Sequence, residues 1–234
     1  MASQSNKSLI DGLSVLSYLA NHGSREPVGC REAARQLGMN TTRVNRLLMT
    51  LKEVGMAEQT DAKKYVPGPG IHVLAAQCMH GSKLLNRAFK ALQRNTEITY
   101  RTALGVLWHN EVSYLVYSDL SKGISAGWHE GPGVYPAELS TIGRVLLSNR
   151  NDADIDALYR NHPGIDVLEL KKTLVEARHF GYAIIKHENS YNIAIPISRN
   201  FEAAISFVNV PLDVAVETAL MQLRAIAADI TSEE

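Results

Sequence analysis

The stretch that decides the fold reads REAARQLGMN (31–40), TTRVNRLLMTLKEVG (41–55) and MAEQTDAKKYVP (56–67). It predicts a short helix, a tight turn, a longer helix, and then two extended arms around a basic tip. Asn40 or Thr41 can cap the longer helix by accepting hydrogen bonds from its first free amides. This order of elements is that of a winged helix-turn-helix, which lays one helix into the major groove of DNA.

The longer helix is predicted to be amphipathic. Val44, Leu47, Leu48 and Leu51 fall at positions i, i+3, i+4 and i+7, so they form one buried stripe. The opposite face carries Thr41, Thr42, Arg43, Asn45, Arg46, Met49 and Thr50. An arginine can grip guanine with two hydrogen bonds, or a phosphate with its fork. For these residues alone, an amphipathic helix with a merely solvated polar face is the alternative interpretation.

The two extended arms favour the DNA-binding interpretation. Residues 58–59 and 65–66 form the arms, and Lys63 and Lys64 lie near the tip that joins them. A two-stranded ribbon with lysines at its tip suits a phosphate contact beside the groove. The predicted DNA-binding residues are therefore Arg31, Thr41, Thr42, Arg43, Asn45, Arg46, Lys63 and Lys64.

The overall composition is that of a folded globular protein with more than one domain. The chain has 234 residues, enough for two modest domains, and 45% of them are hydrophobic. The 24 basic residues balance the 24 acidic ones, but residues 1–82 carry a net charge of +3 and the remainder −3. This small asymmetry fits a DNA-facing front joined to a part that does not touch DNA.

Several classes of protein are disfavoured by what the sequence lacks. The two cysteines, Cys30 and Cys78, belong to no CxxC or Cys/His cluster, so neither a metal site nor a disulfide framework is expected. No GxSxG, HExxH, P-loop or GxGxxG motif accompanies the eight histidines, so neither catalysis nor a cofactor is expected. No apolar run approaches the roughly 20 residues that span a bilayer. With no secretory signal either, the expected location is the cytoplasm, without a membrane partner.

The sequence Pro67-Gly68-Pro69-Gly70 is the clearest break in the chain. We therefore predict a winged helix-turn-helix domain over residues 1–67 and a linker helix over 68–82. A third segment, 83–234, is predicted to be an effector-binding and oligomerisation domain. The apolar stripe of the linker helix can pair with its copy in a second subunit or pack on its own chain.

The third segment is predicted to be an α+β domain with a mostly antiparallel sheet. Pro196 inside one predicted strand argues for an edge or a bulge there, and a loop is predicted at 131–133. Alternating residues predict strands near 98–104, 112–117, 123–128, 182–186, 191–197 and 203–210. Helical periodicity predicts helices near 84–92, 137–147, 155–160, 170–180 and 216–230.

At this point the chain resembles the IclR family of bacterial transcription regulators. The resemblance rests first on GLSVLSYLANHG, REAARQLGMNTTRVNRLLMTLKEVG and KKYVPGPGIHVLA. It continues with YPAELSTIGRVLLS, ARHFGYAI and NIAIPISRNFEAAISFVNVP, in the expected order over nearly the whole chain. It implies a winged helix-turn-helix joined by a linker helix to a GAF-like effector domain. It also implies homodimers or dimers of dimers that bind a double-stranded DNA operator under the control of a small molecule.

The resemblance also implies roles for particular residues on the DNA side. Arg46 stands where the family usually keeps an arginine in its recognition helix, and Thr42 matches a common Ser/Thr position. Arg43 replaces a residue that is more often threonine, which suggests a distinct operator. Whether Arg46 contacts a base or only clamps a phosphate is left open by the sequence.

On the effector side, the resemblance implies a pocket lined by Leu139, Ser140, Thr141, Ile142, Ile195 and Ser206. Pro196 and Val208 stand where some relatives have a cysteine and a serine, so this pocket is expected to be more apolar. The expected effector is accordingly an apolar molecule or an aromatic acid. The alternative is a ligand-independent dimerisation or protein-interaction module that carries a winged helix.

Overall fold

The computed structural model describes residues 5–95, 97–119, 123–126, 134–197 and 202–232. The chain divides into two compact units, Met1–Ser82 and Lys83–Glu234. The second unit starts at the residue where the effector domain is predicted to start, and the predicted linker helix belongs to the first unit.

The first unit contains a helix-turn-helix followed by a two-stranded wing. Asn6 caps the first helix with its side chain. The elements are α1 (Lys7–His22), α2 (Cys30–Gln36), α3 (Thr41–Glu53), β1 (Ala57–Gln59), β2 (Tyr65–Pro67) and α4 (Pro69–Gly81). The two strands pair antiparallel, and Val28 adds a single bridge to Tyr65. The core is built from α1, α2, α3 and the wing, with Val15, Leu19, Ala34, Val44, Leu48 and Tyr65 among its buried members.

The turn between α2 and α3 forms as the sequence predicts. Gly38 adopts a left-handed conformation (φ +61°), which costs little without a Cβ atom and lets α2 end abruptly. Asn40 then caps α3, because its side-chain oxygen accepts a hydrogen bond from the Thr42 amide at 2.8 Å. Of the two predicted caps, Asn40 is therefore the one used. Gly55, also left-handed, directs the chain from α3 into the wing.

The second unit is a sheet covered by helices on both faces. Its helices are α5 (Lys83–Arg94), α6 (Thr141–Leu147), α7 (Asp152–Tyr159), α8 (Val167–Phe180) and α9 (Val216–Thr231). Its strands are β3 (Arg101–Trp108), β4 (Glu111–Asp119), β5 (Gly123–Ala126), β6 (Val134–Pro136), β7 (Ala183–Lys186), β8 (Ser190–Pro196) and β9 (Ala204–Pro211). Among the described strands the order is β5-β4-β3-β9-β8-β7, with β6 pairing β4, and every pair is antiparallel. This confirms the predicted α+β fold with an antiparallel sheet.

The two faces of the sheet differ in the size of their side chains. Ala103, Ala194 and Ala204 face α6, α7 and α8 and form one core cluster with Ile142. The alternate residues, which include Ile193 and the fully buried Phe207, face α5 and α9. The small residues let α6 lie close to the sheet.

Some boundaries differ from the predicted ones. The helix predicted over 137–147 is a short 3₁₀ helix (Ala137–Leu139) followed by α6, because Ser140 is extended and caps α6. Residues 98–100 precede β3 rather than open it. Pro196 ends β8 beyond the last residue paired with β7, so it lies at a local edge, as one predicted alternative requires. Trp128, the predicted end of the third strand, and the predicted loop 131–133 lie outside the described residues.

Candidate nucleic-acid interface and effector pocket

Helix α3 buries one face and presents the other to solvent. Val44 and Leu48 are fully buried against the core of the first unit. Thr42, Arg46 and Met49 are exposed on the opposite side, spaced by four and three residues, so they lie in one row along the helix. The Arg46 guanidinium has no hydrogen-bond or ion-pair partner among the described residues. This row is therefore available to a partner outside the unit.

The start of α3 supplies two further predicted residues. Thr41 and Asn45 are both exposed. The Thr41 carbonyl oxygen accepts a hydrogen bond from the Cys30 thiol at 3.4 Å, which ties the start of α3 to the start of α2. Burial raises the pKa of the Cys30 thiol, so the thiol keeps its proton and acts as a donor. The orientation of α3 is thus fixed by α2 as well as by the core.

Arg43 is placed differently from Arg46. It lies on the flank of the exposed face, where it forms an ion pair with Asp11 of α1, with Nε and Oδ2 2.5 Å apart. The alignment does not meet the directional requirement of a hydrogen bond, so the contact is best described as an ion pair. The exposed face of α3 therefore carries one unpaired guanidinium where the sequence predicted two.

Asp11 is a residue that the sequence interpretation missed, although a signal was present. With Val15 and Leu19 it is one of the buried residues of α1, and the three recur every four positions. A carboxylate in the middle of an apolar stripe needs a cationic partner to be buried at tolerable cost. That rule predicts a basic residue on a neighbouring helix, and Arg43 is that residue.

The remaining predicted DNA-binding residues lie on α2 and on the wing. Arg31, in the first turn of α2, is exposed. Lys63 and Lys64 are exposed at the tip of the wing, where two backbone hydrogen bonds between Thr60 and these lysines close the turn at 2.8 and 2.9 Å. Lys63 holds a left-handed conformation (φ +56°). Asp61 beside them offsets one of the two positive charges.

The first unit also exposes apolar surface on α4 and α1. Helix α4 contains no buried residue, and Val73 and Leu74 on it are about half exposed. Leu9 and Leu13 on α1 are exposed as well. Within the first unit, therefore, α4 does not bury its apolar side chains.

The predicted effector residues at the start of α6 differ in accessibility. Ser140, Thr141 and Ile142 are buried, whereas Leu139 is 56% exposed. The Ser140 hydroxyl accepts a hydrogen bond from the Gly143 amide at 3.2 Å and shares another with the Tyr114 hydroxyl at 3.1 Å. Burial raises the pKa of Tyr114, so its phenol stays protonated and can donate. Tyr114 is a second residue that the sequence interpretation missed.

Ile195 does not share a surface with Ser206, so the predicted pocket residues lie on two faces of the sheet. Ser206 pairs with Ala103 and Ala194 in the neighbouring strands, and Ala103 and Ala194 belong to the core cluster under α6. Ile195 pairs with Ile205, one residue along, so both point to the opposite face of the sheet. Of the predicted effector residues, Ser140, Thr141, Ile142 and Ser206 therefore lie on the α6 side of the sheet, where Tyr114, Tyr117 and Val208 also pack.

The second unit also contains a cavity that was not predicted. A cavity of about 530 Å³ lies at the C-terminal end of α6 and is lined by Leu107, Leu146, Asn149, Arg150, Asn151, Asp154 and Glu202. No group of three or more His, Cys, Asp or Glu residues within the described ranges is arranged to hold a metal ion. Among the helices of the described part, none is both long and apolar enough to cross a bilayer.

The first unit is thus a winged helix-turn-helix, and the second an antiparallel sheet sandwiched between helices. Comparison with known proteins agrees with this class. The model of the IclR helix-turn-helix domain matches residues 8–61. The HTH-type transcriptional regulator BhcR of Paracoccus denitrificans (strain Pd 1222) is 31% identical over 180 residues, which span 71% of this chain and 64% of that relative.

Solved structures of similar fold cover nearly the whole chain. An IclR homolog from Microbacterium hydrocarbonoxydans, crystallised with 4-hydroxybenzoate, is 25% identical, with a TM-score of 0.64 over 97% of this chain and 98% of the other. An IclR family transcriptional regulator from Brucella abortus is 18% identical, with a TM-score of 0.76 over 99% and 94% of the two chains, and supports the fold alone. The chain contains the IclR helix-turn-helix domain and is similar to IclR family transcriptional regulators over nearly its whole length.

Proposed function

We propose that this protein is a sequence-specific, DNA-binding transcriptional regulator whose second unit binds a small-molecule effector that changes operator affinity. The observation that carries the proposal is the exposed row Thr42, Arg46 and Met49 on α3, with an unpaired guanidinium at its centre. Along the chain, α3 lies between α2, which exposes Arg31, and the wing, which exposes two lysines. Such groups suit phosphates on either side of a groove that α3 reads.

We further propose that the active form is a homodimer or a dimer of dimers. An unpartnered apolar surface on α4 and at the start of α1 supports this arrangement, because exposed apolar patches of this kind commonly mark protein contacts. Two copies related by a two-fold axis would place two α3 helices in major grooves about one turn (~34–36 Å) apart, or a multiple of that. Since its partner would be chromosomal DNA, the expected location is the cytoplasm.

The proposed effector is an aromatic acid or another largely apolar small molecule. The Microbacterium hydrocarbonoxydans homolog was crystallised with 4-hydroxybenzoate, which motivates this class. In this chain the α6 face of the sheet offers aromatic and apolar side chains, Tyr114, Tyr117 and Val208, together with the hydroxyls of Ser140 and Ser206. A ring could lie against the former while a carboxylate accepts a hydrogen bond from the Ser140 hydroxyl, because the Ser206 hydroxyl already donates to the Ala103 carbonyl oxygen at 3.5 Å.

Effector control requires differential affinity rather than binding alone. An effector alters operator binding only if it binds the DNA-competent and DNA-incompetent states with different affinities. We expect it to change the spacing or mobility of the two α3 helices in the dimer. A ligand-independent assembly module is the second candidate function, favoured by the exposed apolar surface of α4 and α1.

A selection experiment with the full-length protein tests the proposal. Duplexes enriched from a random pool should share a two-fold symmetric motif, and their affinity should fall steeply between 50 and 200 mM salt as counterions re-condense on the phosphates. Adding 4-hydroxybenzoate should raise the thermal midpoint of unfolding and change the affinity for the enriched duplex. An assembly module would enrich no motif and would show no such salt dependence.

A further inference from the structure

The buried carboxylate of Asp11 faces the DNA-reading helix. Asp11 lies on the inner face of α1, with a side chain only 12% exposed, although the neighbouring members of its stripe are Val15 and Leu19. A charged group in such a place is costly unless an opposite charge and hydrogen bonds compensate it. Its ion-pair partner is Arg43, which lies on the helix that we propose reads DNA.

The Arg43 guanidinium is held at one edge and open at the other. Its Nε atom, next to the Asp11 carboxylate, is inaccessible to solvent. The terminal nitrogens Nη1 and Nη2 are accessible to solvent and have no protein hydrogen-bond partner within the described residues. They therefore contribute to the 40% of this side chain that solvent can reach.

The open edge belongs to the same surface as the exposed row of α3. Arg43 precedes Arg46 by three residues, which places the two side chains on adjacent parts of one helical face. Arg43 is on the flank toward α1, and Arg46 is in the middle of the exposed row. A fork of two parallel N–H donors at this position matches the two acceptors of a guanine, O6 and N7, in the major groove.

We propose that Asp11 is a positioning residue for DNA reading. Through its charge beside the buried Nε atom, it restricts Arg43 to orientations that present Nη1 and Nη2 together to one guanine of each half-site. An unheld arginine must give up many rotamers to bind in this way, whereas this one is already oriented. The inference rests on the proposed function, because it assigns a specificity role within the same DNA-reading surface.

The test is a duplex selection followed by affinity measurements on the full-length wild type and four variants. Asp11→Asn removes the charge that holds Arg43, and Arg43→Ala removes the reader. Arg43→Lys keeps a cation that can pair with Asp11 but loses the fork. Asp213→Asn, at an exposed site in the second unit, is the control for loss of one negative charge.

In the wild type we expect one guanine position in each half-site to be strongly preferred, and Asp11→Asn, Arg43→Ala and Arg43→Lys to lose that preference. Affinity for the wild-type duplex should fall by about 5- to 150-fold for each half-site in the arginine variants, the range for one bidentate base contact, and by a smaller factor in Asp11→Asn. Asp213→Asn should retain both the preference and the affinity. Preferences at all other positions of the motif should be unchanged.

Three outcomes overturn the inference. If Asp11→Asn selects the wild-type motif, Asp11 does not position a reader. If it only lowers the thermal midpoint and weakens all duplexes equally, the ion pair has a structural role alone. If Arg43→Lys retains the guanine preference, no fork is needed. A wild-type protein that enriches no motif would instead refute the proposed function, and this inference with it.

Discussion

Removing the Arg46 guanidinium should weaken operator binding without weakening the fold. The side chain is exposed and has no ion-pair or hydrogen-bond partner among the described residues, so Arg46→Ala should change the free energy of unfolding by less than about 0.5 kcal/mol. A bidentate base contact is worth about 1–3 kcal/mol. In a two-fold symmetric dimer both half-sites lose it, and the losses at separated sites add to about 2–6 kcal/mol.

The measurement is a fluorescence-anisotropy titration of the duplex enriched by the wild type, at several salt concentrations. A base contact predicts that the variant loses its base preference at one position of each half-site, while the slope of log affinity against log salt concentration changes little. A phosphate contact predicts equal weakening on all sequences and a slope smaller by about one per contact. The titration therefore decides between the two roles that the sequence left open for Arg46.

A matched control is Arg160→Ala, which removes an equally exposed guanidinium from the end of α7 in the second unit. It should leave both affinity and salt slope at wild-type values. Wild-type affinity in Arg46→Ala, or an equal loss in the control, would refute the assignment of α3 as the reading helix. A lower thermal midpoint in Arg46→Ala would show that its side chain is not as free as its surroundings indicate.

Three further predictions concern the wing, the core and a buried phenol. Replacing Lys63 and Lys64 by glutamine should flatten the salt dependence of DNA binding without altering the selected motif, and an unaltered slope would exclude the wing from the contact. Leu48→Ala should cost about 2–5 kcal/mol of the roughly 4–12 kcal/mol expected for a unit of this size, so calorimetry should show an earlier transition for the first unit only. Burial, and secondarily the nearby Glu138 carboxylate, raise the pKa of Tyr159 above its ordinary value near 10. The stability that the protonated phenol contributes is therefore fully present below about pH 10 and is lost as the pH rises above about 10. Chemical unfolding between pH 9 and 11 should therefore show a shallower alkaline loss in Tyr159→Phe than in the wild type, and equal slopes would contradict the linkage.

The helix-turn-helix could be predicted closely because local signals determine it. Gly38 ends α2, Asn40 caps α3, and the spacing of Val44 and Leu48 sets which face is buried. All of these act within a few residues of sequence, where backbone preference and periodicity are informative. The pairing of Arg43 with Asp11 acts between residues 32 positions apart. The exposed-face assignment of Arg43 depended on the pattern of one helix and did not consider the charge on its neighbour.

The position of Ile195 in the sheet could not be predicted, for a different physical reason. Along a strand, successive side chains point to opposite faces, so membership of a pocket depends on whether the position is odd or even relative to a known member. Ser206 fixes that reference in β9, and its partner in β8 is Ala194, which leaves Ile195 on the α5 and α9 side. The resemblance named the strand, but it could not supply the register between strands that meet only in the folded sheet. Both strands carry apolar side chains on both faces, as expected for a sheet covered on each side. The sequence therefore lacks the alternation of polar and apolar residues that would have shown to which face each side chain points. On β8, Ala194 and not Ile195 is the residue that lies on the α6 face and packs in its core cluster.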